Sequence, residues 1–220
     1  MKTYFAIGLM SGTSLDGLDI CYAKFQNITN WEFEILKTET IPYSLEWKNR
    51  LQNAILLSAE DLLALDKEYG FYLGEKTQEF ISKNNITDLD FIASHGHTVF
   101  HQPKRKFTLQ IGDGRPITLT TKKPVIYDFR SQDVLMGGNG APLVPIGDEL
   151  LFSQYDACLN LGGFSNISLQ KNHQRIAFDI SPVNVVLNYF AEKLGKNYDE
   201  NGDFARNGAI NFKILEELNT

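Results

Sequence analysis

The sequence predicts an α/β protein in which one kind of sheet begins twice, and three observations carry that expectation. Apolar and polar residues alternate through the first forty residues in three short runs, the pattern of half-buried strands. The period then lengthens to that of amphipathic helices between 45 and 84, after which short apolar strand-like runs resume. From Ala157 onward the layout of strand, glycine turn, strand and strand appears again, weak as identity but clear as order.

Strands are expected near 4 to 10, 19 to 26 and 31 to 39, the last from the alternation of Trp31, Phe33 and Ile35. Leu45, Leu51, Ile55 and Leu56 fit a helix. Ser58 with Asp61 three positions later resembles a capping box that opens a second helix, carrying Leu62, Leu65, Tyr69, Leu73 and Phe80 inward and fading at Asn84-Asn85. Strand-like pieces follow at Phe91 to Ser94, Thr108 to Ile111 and Val125 to Phe129. Gly137-Gly-Asn-Gly-Ala-Pro142 interrupts regular structure, so the chain is divided into a first domain, 1–136, and a second, 137–220. In the second, a short helix near Ile146 to Phe152 precedes strands at Ala157 to Leu161, Ile167 to Leu169 and Ile176 to Ile180. Ser181-Pro182 then reads as a helix start, since serine can cap and proline fits the first helical position.

With 220 residues, 43% of them hydrophobic, the chain can bury a substantial core in one large or two small domains. Its 21 Lys and Arg against 27 Asp and Glu give a formal charge of -6. No basic run exceeds Lys104-Arg105-Lys106, which argues against a nucleic-acid partner. Cys21 and Cys158 lie among apolar neighbours and read as buried thiols; no CxxC spacing points to zinc. No signal-peptide core and no eighteen-residue apolar stretch is present, so a soluble cytoplasmic protein without a membrane partner is expected.

The chemistry-bearing residues cluster at turns. In the loop after the first strand, Gly12 and Gly17 permit tight backbone geometry, and Ser11, Thr13, Ser14, Asp16 and Asp19 offer hydroxyls and carboxylates. This is either a phosphate-binding loop or an ordinary polar hairpin tip. It matches neither GxGxxG nor GxxxxGK[ST]. Asp179 ends an apolar strand, where open α/β sheets present reactive groups, and is either a general base or a capping carboxylate. His95, His97 and His101 follow the strand 91 to 94. Their spacing permits metal ligation, but lining a cleft is favoured, with His95 foremost as the one nearest the strand end. Arg130 either fixes a carboxylate or phosphoryl oxygen through its planar fork or pairs with Asp128 or Asp133 to hold a loop. Gly137-Gly-Asn-Gly and Leu161-Gly-Gly-Phe-Ser-Asn166 are two further permissive turns. With the first loop they point to a ligand cleft between two units, to which Ser165 and Asn166 contribute side chains. The stretch 198 to 208 is a solvated loop or a site wall, and it lacks the alternating acidic pattern of a calcium loop.

Taken together, these motifs resemble the anhydro-N-acetylmuramic acid kinases of the hexokinase, actin and heat-shock ATPase superfamily. The resemblance rests on GLMSGTSLDGLD at 8–19, ASHGHTVFHQP at 93–103, TLQIGDG at 108–114, DFRSQDVLMGGNGAPLVP at 128–145, LNLGGFSNISL at 159–169, FDISPVN at 178–184 and YDENGDFARNG at 198–208. It implies a ribonuclease-H-like, actin/hexokinase-type lobe followed by an incomplete second lobe of related topology. It further implies ATP and magnesium as cofactors and a muramic-type anhydro sugar as substrate, whose ring is opened by water while O6 is phosphorylated. By the same resemblance Asp179 is the base, Gly12, Thr13, Ser14, Asp16, Gly17 and Asp19 of the first loop hold the nucleotide, and Arg130 lies near the sugar's lactyl carboxylate or its reacting end; from their positions His95 and Asn166 are expected to bind the sugar too, with Asp16 and Asp19 as candidate magnesium ligands. Where the family usually has Phe-Asp-Thr-Gly-Pro-Gly-Asn, this chain has Ile180, Ser181 and Val183; His97 replaces a usual glutamine, and Gly147-Asp148 stands where a histidine is common. Family members run longer. The resemblance therefore carries the expectation that this polypeptide alone lacks robust kinase activity, and that a second copy or a second polypeptide completes the second lobe.

Overall fold

A computed structural model describes residues 2–12, 15–172 and 174–219; the expected nucleotide contacts Thr13 and Ser14 lie outside the described residues. Strands β1 (Lys2–Ser11), β2 (Gly17–Asn27) and β3 (Trp31–Pro42) form an antiparallel meander. Helix α1 (Leu45–Gln52) starts at Ser44, whose side chain accepts the Trp47 N–H, and a short 3-10 turn leads to α2 (Ala59–Lys83). The expected Ser58 cap is present, in a form other than the full capping box: Ser58 Oγ accepts the Asp61 N–H at 3.1 Å, and the Asp61 carboxylate accepts the Ser58 hydroxyl at 2.7 Å in place of its main-chain N–H. The helix ends at Asn84, after which Asn85 takes a left-handed conformation.

Strand β4 (Phe91–Ser94) then pairs parallel to β1. A separate hairpin of β5 (His97–Gln102) and β6 (Phe107–Ile111) follows, then α3 (Gly114–Thr121) and β7 (Val125–Tyr127), which pairs parallel to β4. The principal sheet thus has the order β3-β2-β1-β4-β7, with only β2 running against the rest. This mixed α/β arrangement is consistent with an actin/hexokinase-type ATPase lobe.

One face of this sheet supplies Ile7 and Leu9 from β1, Leu18 and Ile20 from β2, and Ile92 from β4 to a core shared with Leu65, Tyr69, Leu73 and Phe80 of α2. These are the helix positions expected from the sequence, together with Leu62 as a partly buried neighbour. Helix α3 packs close to α2 because Gly70 carries no side chain: a Cβ there would lie 2.5 Å from the main-chain oxygen of Asp113. Asp113 caps α3, accepting the Arg115 N–H at 2.8 Å, and is paired with Lys67 and Arg115, which hold its carboxyl far below the usual carboxylate range. On the opposite face a cavity of about 610 Å³ has Ala6, Gly8, Ala23 and Ala93 among its walls, with Trp31, Cys21 and two residues of α5 (Leu143–Leu151), Leu143 and Ile146. Among the described residues its lining includes no charged side chain.

The chain forms two compact units, 1–156 and 157–220. Residues 137–156, expected to open the second domain, group with the first. The physical reason lies in contacts within the first unit: Gly138 N–H donates to Asp133 O at 2.8 Å, Gly140 N–H donates to Asp133 Oδ2 at 2.7 Å, and Phe152 packs edge-on against Phe33 of β3. Asp133 belongs to a helix that the sequence pattern did not announce, α4 (Ser131–Leu135).

The second unit contains an antiparallel meander of β8 (Ala157–Leu161), β9 (Phe164–Lys171) and β10 (Gln174–Pro182), then α6 (Asn184–Lys193), α7 (Asp203–Asn207) and α8 (Phe212–Leu218). The expected helix start at Ser181-Pro182 is not observed. Ser181 and Pro182 pair with Ser165 and Phe164 as the last rungs of β10, and α6 begins at Asn184 with no side-chain cap. Proline is tolerated because β10 is an edge strand. Among the described residues no helix is long and apolar enough to cross a membrane.

Candidate active site

The parallel strands β1, β4 and β7 end in three chemically distinct segments. At the end of β1, Ser11 is buried and its Oγ accepts the Tyr43 hydroxyl at 2.8 Å. Beyond it, Gly12 leads into the loop that returns through Asp16 to β2. Asp16 Oδ1 accepts the Gly17 N–H at 3.1 Å, and Asp19 Oδ1 accepts the Thr40 hydroxyl at 2.6 Å. The negative charges of Asp16 and Asp19 both act on the Tyr43 phenol, whose pKa burial already raises. The two candidate magnesium ligands therefore flank one end of the sheet.

After β4, His95 donates its Nδ1–H to Gly96 O at 2.9 Å, and its Nε2 accepts the Nε–H of Arg130 at 2.9 Å. A carbonyl can only accept, so the two bonds together fix a neutral imidazole protonated at Nδ1. Burial, with the nearby guanidinium, pushes the His95 pKa down, which agrees with that tautomer. Arg130 reaches this position from the turn after β7, where Asp128 adopts φ +58 and its Oδ1 accepts the Ser131 N–H at 3.3 Å. Expected as a strand to Phe129, β7 stops at Tyr127 because this left-handed residue breaks the ladder.

Two residues that the sequence placed in separate clusters are thus in direct contact. The alternative role for Arg130, pairing with Asp128 or Asp133, is not what the structure contains: among the described residues neither carboxylate pairs with it. Asp133 accepts the Gly140 amide instead. Arg130 is half-buried, and burial lowers its pKa. Arg130 therefore carries a desolvation cost beside a neutral imidazole, with no carboxylate partner among the described residues.

The other two histidines of the cluster face different surroundings. His101 Nδ1 lies 3.2 Å from Thr108 Oγ1. His97 is buried; its Nδ1 has no hydrogen-bond partner among the described residues, and burial, with His95 nearby, lowers its pKa to about 4. A small cavity of about 260 Å³ beside it is bounded by Leu15, Leu51, Gln52, Ile55, Thr98 and Val99. The sign of the pH effect follows. An unfolded histidine binds its proton near pH 6.5 and the folded one near 4, so this contribution to stability is complete above 6.5 and is lost as pH falls from 6.5 toward 4. Urea midpoints measured across that window are expected to decline on acidification, and His97→Gln is expected to flatten the decline. An equal slope in both proteins would exclude the assignment.

In the second unit, Asp179 stands on β10 directly opposite Asn166 of β9, which in turn faces Asn160 of β8. Paired positions across a sheet share a face, so the three polar side chains form one row. Its neighbours along the same face include Ser168 and Arg175, whose Nη1 donates to Ser168 Oγ at 3.1 Å. The register shifts between Asp179 and Ser181, leaving Ile180 as a bulge. Ser165, buried, closes that bulge: its Oγ accepts the Ser181 N–H at 3.2 Å and donates to Ser181 O at 3.1 Å. Bulges commonly re-aim an adjacent side chain, and this one directly follows Asp179. Neither Ser165 nor Tyr43 carries a local sequence signal for these bonds, since each acts through a partner distant in the chain.

A mixed α/β lobe whose parallel strands end in a glycine loop and an imidazole–guanidinium pair defines the class as consistent with the actin/hexokinase-type ATPases. Comparison with protein families matches residues 4–220 to "Anhydro-N-acetylmuramic acid kinase", and the chain belongs to that family. The chain is 36% identical to the anhydro-N-acetylmuramic acid kinase of Haemophilus influenzae over 99% of this chain and 59% of that protein. Against the Clostridioides difficile kinase of the same name the identity is 36% over 97% and 61%, and against that of Bacillus thuringiensis 32% over 98% and 61%. The chain therefore spans about three-fifths of the length of these curated relatives.

Proposed function

We propose that this chain carries nucleotide- and sugar-handling groups of an ATP-dependent kinase for 1,6-anhydro-N-acetylmuramic acid, coupling hydrolytic opening of the anhydro ring to phosphorylation of O6. The observation that carries this reading is the Arg130–His95 contact at 2.9 Å, a desolvated cation without a carboxylate partner among the described residues, at the ends of the parallel strands. The substrate bears a carboxylate that such a group would bind. His95, locked as an Nδ1–H tautomer, orients the guanidinium, and Asn166 offers an amide to sugar oxygens.

Asp179 is the general base in this reading, taking a proton from the water that attacks the anomeric carbon while O6 leaves the ring. Gly12, Thr13, Ser14, Asp16, Gly17 and Asp19 hold the ATP phosphates. Asp16 in the loop and Asp19 in β2 supply hard oxygen donors, the type taken by magnesium, an ion commonly held by one or two carboxylates together with phosphate oxygens and waters. When bound, magnesium would offset phosphate charge. The second unit is part of a second lobe of related topology, and the reaction belongs to cytoplasmic recycling of cell-wall fragments.

A second reading, a binding subunit that needs another copy or another polypeptide, is favoured by one observation. Leu159, Leu161, Ile176 and Phe178 alternate onto one face of the second unit's sheet and are 57%, 60%, 37% and 53% exposed. Calorimetry with ATP–magnesium and with the anhydro sugar separates the possibilities; binding of neither ligand would sink the kinase reading. If the purified chain phosphorylates the sugar, Asp179→Asn is expected to lower kcat by about 10²- to 10⁴-fold, with little change in KM. Undiminished turnover in that variant would remove Asp179 from the mechanism.

A further inference from the structure

We propose that Tyr43 is the positioning residue of the glycine loop, holding both of its stems at once. The residue lies between the end of β3 and the Ser44 cap of α1, outside every motif that identifies the loop. Its hydroxyl donates to Ser11 Oγ at 2.8 Å, on the stem where the chain leaves β1. Its backbone N–H donates to Asp16 O at 3.4 Å, on the stem where the chain enters β2. One side chain and its own amide therefore bridge the two sides of the turn.

The hydroxyl is itself fixed from behind. Tyr43 Oη and Tyr69 Oη are 2.6 Å apart, and since the Tyr43 proton is directed to Ser11, Tyr69 is the donor of that second bond. A chain of three hydroxyls thus runs from Tyr69 through Tyr43 to Ser11, with the Tyr69 and Tyr43 protons both directed toward Ser11's end of it. All three residues are buried, at 0%, 5% and 2% exposure, so bulk water does not replace a lost bond. Aromatic packing stiffens the arrangement: Tyr43 lies against Tyr69 and Tyr72 with centroids at 6.4 and 6.0 Å, and Trp47 packs on both of those rings. Because Ser11 accepts from Tyr43, its own proton is left to be donated elsewhere, and Ser11 is the residue next to Gly12.

The ligand consequence rests on the reading of the loop as a phosphate site; the clamp itself does not. Hydrogen exchange by mass spectrometry on the full chain, wild type against Tyr43→Phe, tests the clamp. Peptides covering 9–18 are expected to exchange about 10-fold faster or more, while peptides of β4 and of the C-terminal half of α2 stay unchanged. Tyr72→Phe, in the same aromatic cluster but outside the hydroxyl chain, is the control and leaves 9–18 unchanged.

ATP–magnesium affinity is expected to fall about 3- to 10-fold in Tyr43→Phe, as for the loss of one hydrogen bond. Ser11→Ala acts on the same bond from the other side, so the double variant is expected to be no weaker than the stronger single one. Uniform acceleration across β1 to β3, or additive effects of the two substitutions, would reduce Tyr43 to a packing residue and overturn the proposal. Failure of the wild type to bind ATP–magnesium would instead overturn the phosphate reading, with the exchange pattern still deciding the clamp.

Discussion

Arg130→Met is expected to weaken binding of the anhydro sugar acid by about 10- to 100-fold, the cost of about 1.5–3 kcal/mol for a hydrogen bond to a charged group. Methionine keeps the aliphatic bulk and removes the donor fork. The loss should be confined to ligands with a carboxylate: calorimetry with 1,6-anhydro-N-acetylglucosamine, which lacks the lactyl acid, is expected to give nearly equal affinities for wild type and variant. Arg130→Lys is expected to restore little, because the Nε–H that bonds His95 at 2.9 Å belongs to the guanidinium plane and an ammonium cannot meet both partners in that geometry. Equal discrimination between the two sugars in wild type and Arg130→Met would show that the carboxylate goes elsewhere.

Gly96→Ala carries the second large expectation. Gly96 links β4 to the hairpin and supplies the carbonyl that fixes the tautomer of His95. Its φ is +71, and a Cβ would lie 2.4 Å from the main-chain oxygen of Ile111, a group that cannot swing aside as a flexible side chain can. The left-handed conformation costs an alanine about 1–2 kcal/mol, and relieving the backbone overlap adds about 1–3 kcal/mol. Urea denaturation should register a loss of this order. The folded fraction should also bind the sugar acid more weakly, since moving the 95–97 turn breaks the His95–Arg130 register. A variant with wild-type midpoint and affinity would show that the hairpin relaxes freely, contrary to the packing around Ile111.

The contrast between these residues shows what was legible in the chain. Strands β1 to β4 and β8, the helices α1 and α2, and the Ser58 cap could be read directly, because each is decided by local periodicity and a capping side chain. Helices α3 and α4 escaped the pattern. The first is short and threonine-rich, capped by Asp113 within a motif that resembles a loop, and the second follows the left-handed Asp128. Strand β5 was hidden because His97 to Gln102 looks like a histidine cluster, and only pairing with β6 makes it a strand. Pro182 was misplaced for a related reason: its missing N–H suits a helix start and an edge strand equally, and the neighbouring Phe164 rung decided between them.

Within the candidate site, the sequence supplied the residue types but not their contacts. His95 and Arg130 were each marked as strand-end groups, yet their shared hydrogen bond joins positions 35 residues apart. The same holds for the bond from Tyr43 to Ser11, 32 residues away.

By itself the sequence determined the α/β class, the meander followed by helix and parallel strands, the family, and which turns hold glycines, hydroxyls and carboxylates. Those follow from local patterns of hydrophobicity and from motifs whose residues are neighbours in the chain. Tertiary structure alone decided that a histidine and an arginine share a hydrogen bond, that residues 137–156 group with the first unit, and that a tyrosine outside the loop bonds to both of its stems. These depend on the sheet order β3-β2-β1-β4-β7, which brings strand ends together across intervening helices and fixes partners that no local spacing encodes.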